Sequence, residues 1–95
     1  MRDLIAAHVC TTVAVIWGAP EPVRPETMLT LGHDLGNGLH PLAAWRKLRA
    51  VAATIEDIYK IKFDDYAVEG WTAVADIILA AEKAIDAKRK PRGAA

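Results

Sequence analysis

Three side chains that could bind a divalent metal ion lie close together in the sequence. His33, Asp34 and His40 would supply two imidazoles and a carboxylate, a donor set that suits zinc. No fourth ligand is evident nearby, although Cys10 or His8 could approach from an earlier segment. Histidines in polar loops are mostly solvated, so we predict that this cluster binds no metal.

Two further patterns could support catalysis or phosphate binding. Cys10 would need a histidine base beside it, but His8 is two residues away and lies on another face of a helix. The run Gly36-Asn37-Gly38 has neither a preceding strand nor a following Lys-Ser/Thr, so a tight turn explains it better than a phosphate loop. No catalytic set remains. We therefore expect a protein that is not an enzyme and holds no cofactor.

A glycine-rich loop leads into the strongest helical pattern of the chain. Pro41 suits a first helical position, because the amide hydrogen that it lacks has no partner there in any case, and His40 precedes it as a weak N-cap. Apolar side chains then recur every three or four residues at Leu42, Trp45, Leu48, Ala52, Ile55 and Tyr59. The pattern predicts one long helix over residues 42–63, ended by Asp64 and Asp65.

Helices are also predicted on both sides of this one. Residues 3–17 carry a broad apolar stripe; the β-branched run TTVAVI would suit a strand, but no second strand is available to pair with it. Gly18 suits the left-handed residue after a helix, and three prolines keep residues 19–29 irregular. Further on, YAVEGW predicts one helical turn. Thr72 is the expected N-cap of a last helix that is supported by Asp76 and ends in KAIDAKRK.

Composition limits the class of protein. The 95 residues are 53% hydrophobic, which suits a single all-α domain, a small four-helix bundle with three long helices and one short helix. We assign residues 1–87, with a net charge of −4, to the bundle, and residues 88–95, with a net charge of +4, to a disordered basic tail. The overall charge is zero, which disfavours nucleic acid as a partner. The first helix is too short and too polar to span a membrane, and a lone cysteine fits the cytoplasm.

Three stretches, taken in order, resemble acyl carrier proteins and related phosphopantetheine-bearing carrier domains. They are WGAPEPVRPETMLTLGHDLG, IEDIYKIKFDD and WTAVADIILAAEKA, and the likeness extends over about residues 3–86. The resemblance implies an acyl-carrier-like bundle that could shelter a small apolar or acyl ligand between its helices.

The chain departs from that family at the attachment site. Carriers follow the Asp-Leu-Gly turn with a serine that bears the phosphopantetheine arm, whereas the corresponding position here is Gly38 or Leu39. The chain contains no serine, and Thr27 and Thr30 lie on the wrong side of the turn. The resemblance therefore implies a carrier-like domain without its prosthetic group.

The second departure concerns charge. Carriers present an acidic second helix to their partners, whereas this helix begins with Arg46, Lys47 and Arg49 and has its acids near the end. That order opposes the helix dipole by a few tenths of a kcal/mol per charge. We therefore predict a protein partner with an acidic face, bound by these three cations together with His40 and Asn37. Three alternatives remain open: ordinary solvated charges, a functional carrier with an unrecognised attachment site, and a small helical nucleic-acid-binding protein.

Overall fold

A computed structural model describes residues 2–19, 22–29 and 40–89 of the chain. It contains four helices in the order α1 (Arg2–Trp17), α2 (Pro41–Tyr59), α3 (Asp65–Glu69) and α4 (Val74–Arg89). The described stretches hold no strand, only an isolated bridge between Met28 and Ala73. The predicted all-α bundle of three long helices and one short helix is confirmed, and so is the choice of helix over strand for the first segment.

The centre of the bundle is α1, which packs against both α2 and α4, while α3 packs against α2. This position explains why α1 is apolar on most of its circumference. Its end is set by Gly18, whose φ of 65° is the left-handed conformation expected there. The largest fully buried side chains of the core are Val9, Val13, Val51, Ile55, Val68, Val74 and Ile77.

The connection after α1 packs against the beginning of α4. Its carbonyl groups at Pro25 and Thr27 accept hydrogen bonds from the amides of Ala75 and Val74, at 2.7 and 3.0 Å. These amides belong to the first turn of α4, where no helical partner exists for them. The connection therefore caps α4 and buries Leu29 in the core.

The N-terminal cap of α4 differs from the prediction. Thr72, the predicted N-cap, lies two residues before the first residue of α4, and the Asp76 carboxylate accepts hydrogen bonds from the Thr72 hydroxyl and from the amides of Thr72 and Ala73, at 2.9, 2.8 and 3.1 Å. A carboxylate in the first turn can reach back in this way and is also favoured by the positive end of the helix.

The predicted end of the long helix was wrong by one turn. α2 stops at Tyr59, and Lys60 takes the left-handed conformation with φ 56°. The extended chain that follows allows Ile61 to enter the core and Phe63 to pack edge-on against Trp71, with ring centres 5.2 Å apart. A helix through residues 61–63 would have turned these two side chains 200° apart.

The last helix continues into the segment that we assigned to a basic tail. α4 runs to Arg89, and the Lys88 ammonium donates to the Tyr59 carbonyl oxygen at 3.2 Å. Residues 90–95 lie outside the described part of the chain. Among the helices that the structure describes, none is long and apolar enough to cross a membrane.

Candidate functional site

One side of α2 faces the core and the other faces solvent. Its buried side consists of Ala44, Leu48, Val51, Ala52 and Ile55. The solvent side, which we call the outer face of α2, consists of Leu42, Arg46, Ala50, Ala53, Thr54, Asp57 and Ile58. Leu42 and Ile58 are 51% and 44% exposed, so the outer face carries apolar as well as charged groups.

Lys47, one of the three cations predicted to contact a partner, is bound within the chain. Its ammonium donates to the Ile16 carbonyl oxygen at 3.1 Å and lies 5.9 Å from the centre of the Trp17 ring. A cation at this position satisfies a carbonyl group and offsets the negative end of the α1 dipole. Lys47 therefore joins α2 to α1.

Arg49, the second of these cations, is also engaged within the chain. Its guanidinium lies 3.9 Å from the Glu56 carboxylate and 3.5 Å from that of Asp65. Glu56 in turn accepts a hydrogen bond from the amide of Phe63 at 2.7 Å. The buried Nη1 of Arg49 makes no well-aligned hydrogen bond, so the two carboxylates balance its charge mainly through electrostatic attraction. This network fixes the turn between α2 and α3.

Arg46 is the exposed member of the predicted cationic set. His40 lies six residues before it and caps α2, because its Nδ1 accepts a hydrogen bond from the amide of Leu42 at 3.1 Å. Asn37, together with the Gly38 and Leu39 of the carrier position, lies outside the described residues. The structure thus leaves Arg46 exposed on the outer face, with the capping His40 exposed just before the first turn of α2.

Only some of the side chains that were considered as metal ligands lie in the described part of the chain. His33 and Asp34 lie outside the described stretches, and the described residues contain no group of three potential ligands. His8 is engaged elsewhere, since its Nδ1 lies 2.5 Å from the Tyr59 hydroxyl oxygen. Cys10 is half-buried, and its burial, with a smaller effect from the Glu26 charge, raises the pKa of the thiol. A raised pKa leaves less thiolate for nucleophilic attack or metal binding.

An open groove of about 420 Å³ lies at the C-terminal end of α2. It is lined by Ala53, Glu56, Asp57, Lys60, Ile61 and Lys62, so it adjoins the outer face at two shared residues. Sequence reasoning missed this groove because we expected the helix to continue. The signal was present in Ile61 and Phe63, two apolar residues whose alternation favours extended chain over helix.

The described residues form a small all-α bundle, and α2 presents its outer face to solvent. No protein-family model, curated protein or solved structure matches the chain.

Proposed function

We propose that this protein is a non-catalytic recognition module, similar to an acyl carrier domain that lacks the phosphopantetheine serine. It binds a protein partner through the outer face of α2. The observation that carries the proposal is the exposure of Leu42 and Arg46 one helical turn apart at the start of α2. Arginine is enriched in protein–protein interfaces, and a partner that contacts Arg46 would also cover the half-exposed Leu42 beside it.

The chemistry of this face indicates the kind of partner. Arg46 favours a carboxylate, and Leu42 favours an apolar side chain next to it. Between Arg46 and Asp57 the outer face presents only small side chains, Ala50 and Ala53 among them, which allow another helix to approach closely. A helix with an acidic residue and an apolar stripe fits these requirements. Lys47 and Arg49 make their contacts within the chain, so we assign them no direct contact with the partner.

Photo-crosslinking tests the proposed surface. We would place a photoreactive amino acid at Ala50, on the outer face, or at Leu79, a control position on α4 that is also exposed. We expect an adduct from position 50 that is absent from position 79 and is lost with Arg46→Glu. Equal adducts from both positions, or none from position 50, would contradict the proposal.

A functional carrier is the second candidate, since its attachment site could use a residue that the family does not use. The absence of serine from the chain counts against it. Intact mass after incubation with coenzyme A and a promiscuous phosphopantetheinyl transferase separates the two functions. We expect no change, whereas a gain of roughly 340 Da would establish carrier activity.

The surface charge bears on the remaining alternatives. Arg46 and Asp57 balance each other on the outer face, so the face lacks the positive field that nucleic-acid binding needs. A small apolar or acyl ligand remains a secondary partner within the same proposal. We place the protein in the cytoplasm, where the single thiol of Cys10 would stay reduced.

A further inference from the structure

The outer face of α2 carries one positive residue, Arg46, near its N-terminal end and one negative residue, Asp57, near its C-terminal end. Arg46 and Asp57 are three helical turns apart, about 16 Å, and therefore lie on the same side. If a second copy of α2 packs antiparallel across a two-fold axis between residues 51 and 52, Arg46 of each copy lies opposite Asp57 of the other. The same register places Ala50 opposite Ala53, so the smallest side chains meet where the helices are closest.

In the same register, the exposed Leu42 side chain lies opposite the groove of the second copy. The register places Leu42 of one copy at the level of Ile61 in the other, where the chain forms the groove of about 420 Å³. Leu42 is 51% exposed, and Ile61 is a largely buried apolar residue in the wall of the groove. Charge, side-chain size and shape therefore agree on one register.

We propose that the partner of the outer face is a second copy of this chain, in an antiparallel two-fold dimer with Arg46 beside Asp57 and Leu42 in the opposite groove. The inference rests on the proposed function, because it fills the same face and names the partner. The carboxylate that Arg46 requires is then supplied by the chain itself. Asp57 already lies 3.4 Å from Lys60, but both groups are exposed, so the carboxylate can exchange that contact for Arg46 of the second copy.

The contact is one helix pair, and such an interface is smaller than the roughly 1,600 Å² typical of stable complexes. We therefore expect a weak dimer, mostly monomeric at about 1 µM and increasingly dimeric at several hundred µM. Sedimentation over this concentration range measures the dissociation constant on the full-length chain.

Charge exchange tests the register. Arg46→Glu opposes two carboxylates and Asp57→Arg opposes two guanidinium groups, so each variant alone should dimerise at least about tenfold more weakly. An equimolar mixture of the two variants restores opposite charges at both ends of the interface, and we expect it to recover the wild-type affinity as a heterodimer. Both positions are exposed, and circular dichroism checks that each variant folds.

The matched control is Lys83→Glu, an exposed charge reversal on α4, which should leave the affinity unchanged. A wild-type chain that stays monomeric at every concentration would overturn the inference, and so would single variants whose mixture fails to recover. The crosslink at Ala50 keeps this failure separate from that of the proposed function. An adduct of twice the 10.3 kDa chain mass supports the dimer, whereas an adduct with another protein overturns it and leaves the recognition role intact.

Discussion

The Lys47 ammonium of α2 donates a hydrogen bond of 3.1 Å to the Ile16 carbonyl oxygen, next to the last residue of α1. A second lysine repeats this relationship, since the Lys88 ammonium of α4 donates to the Tyr59 carbonyl oxygen at the end of α2. The last carbonyl groups of a helix have no partner within it and carry partial negative charge. Each of these two helix ends is therefore stabilised by a cation from a neighbouring helix.

Replacing Lys47 with methionine should lower the free energy of unfolding by about 1–2 kcal/mol, because a charged hydrogen bond is lost while the aliphatic stem remains. Urea unfolding followed by circular dichroism measures the change. Arg46→Met is the control, since this neighbouring side chain is exposed, and its effect should stay within about 0.5 kcal/mol. Equal effects of the two substitutions would show that Lys47 does not stabilise the end of α1.

Glu56→Gln should also destabilise the fold, by about 1–2 kcal/mol. The Glu56 carboxylate accepts the Phe63 amide hydrogen and lies near Arg49, and its side chain is only 14% exposed. The amide of glutamine cannot balance the guanidinium charge. The same unfolding experiment on Asp57→Asn, an exposed neighbour, is expected to give less than half of this effect. At about 1 µM protein, dimerisation does not contribute to either value.

The local features of the chain could be predicted from sequence, whereas its long-range polar contacts could not. Gly18 and Pro41 define helix ends through their own backbone preferences, so both positions were correct. The partners of Lys47 and Glu56 depend on which helices become neighbours. Sequence alone therefore assigned Lys47 to a partner surface, and the structure places it between α1 and α2.

The end of α2 shows a second limit of sequence-based prediction. Residues 60–63 read as helix because the preceding periodicity continues through them. The burial of Ile61 and the contact between Phe63 and Trp71 favour the extended chain instead. Such tertiary packing outweighs local propensity. It ends α2 at Tyr59, and the groove at that end of the helix forms as a result.

Stability should depend on pH through Asp76. Hydrogen bonds to its carboxylate, first from the Thr72 amide and then from Ala73 and the Thr72 hydroxyl, hold the pKa of Asp76 below the 3.8 of an unperturbed aspartate. Because the pKa of Asp76 is lower in the folded state than in the unfolded state, its ionised carboxylate contributes to the free energy of unfolding. This contribution is present above pH 3.8 and is lost as the pH falls through the folded-state pKa.

The Asp76→Asn variant isolates this contribution. Its difference from the wild type in unfolding free energy should be constant between about pH 5 and 7 and should shrink below about pH 4. Urea unfolding at a series of pH values tests this expectation. Asp86→Asn, on the exposed side of the same helix, should change the unfolding free energy at pH 7 by less than about 0.5 kcal/mol. A difference for Asp76→Asn that grows towards low pH would reverse the assigned sign.

Two glycines allow the cost of backbone conformation to be measured separately from the cost of space. Gly18 has a φ of 65°, and a Cβ atom built there would meet nothing within 4 Å. Gly18→Ala should therefore cost about 1–2 kcal/mol through backbone strain alone, since L-residues avoid the left-handed region.

Gly70 has a φ of −81°, and its Cβ would lie at an ordinary 3.5 Å from the Ala67 carbonyl oxygen. Gly70→Ala should instead stabilise the fold by about 0.4–1 kcal/mol, because alanine restricts the unfolded chain. Thermal and urea unfolding of the two variants should shift in opposite directions. Destabilisation by Gly70→Ala would contradict the prediction for Gly70, whereas a Gly18→Ala variant as stable as the wild type would contradict the role of the left-handed conformation at the end of α1.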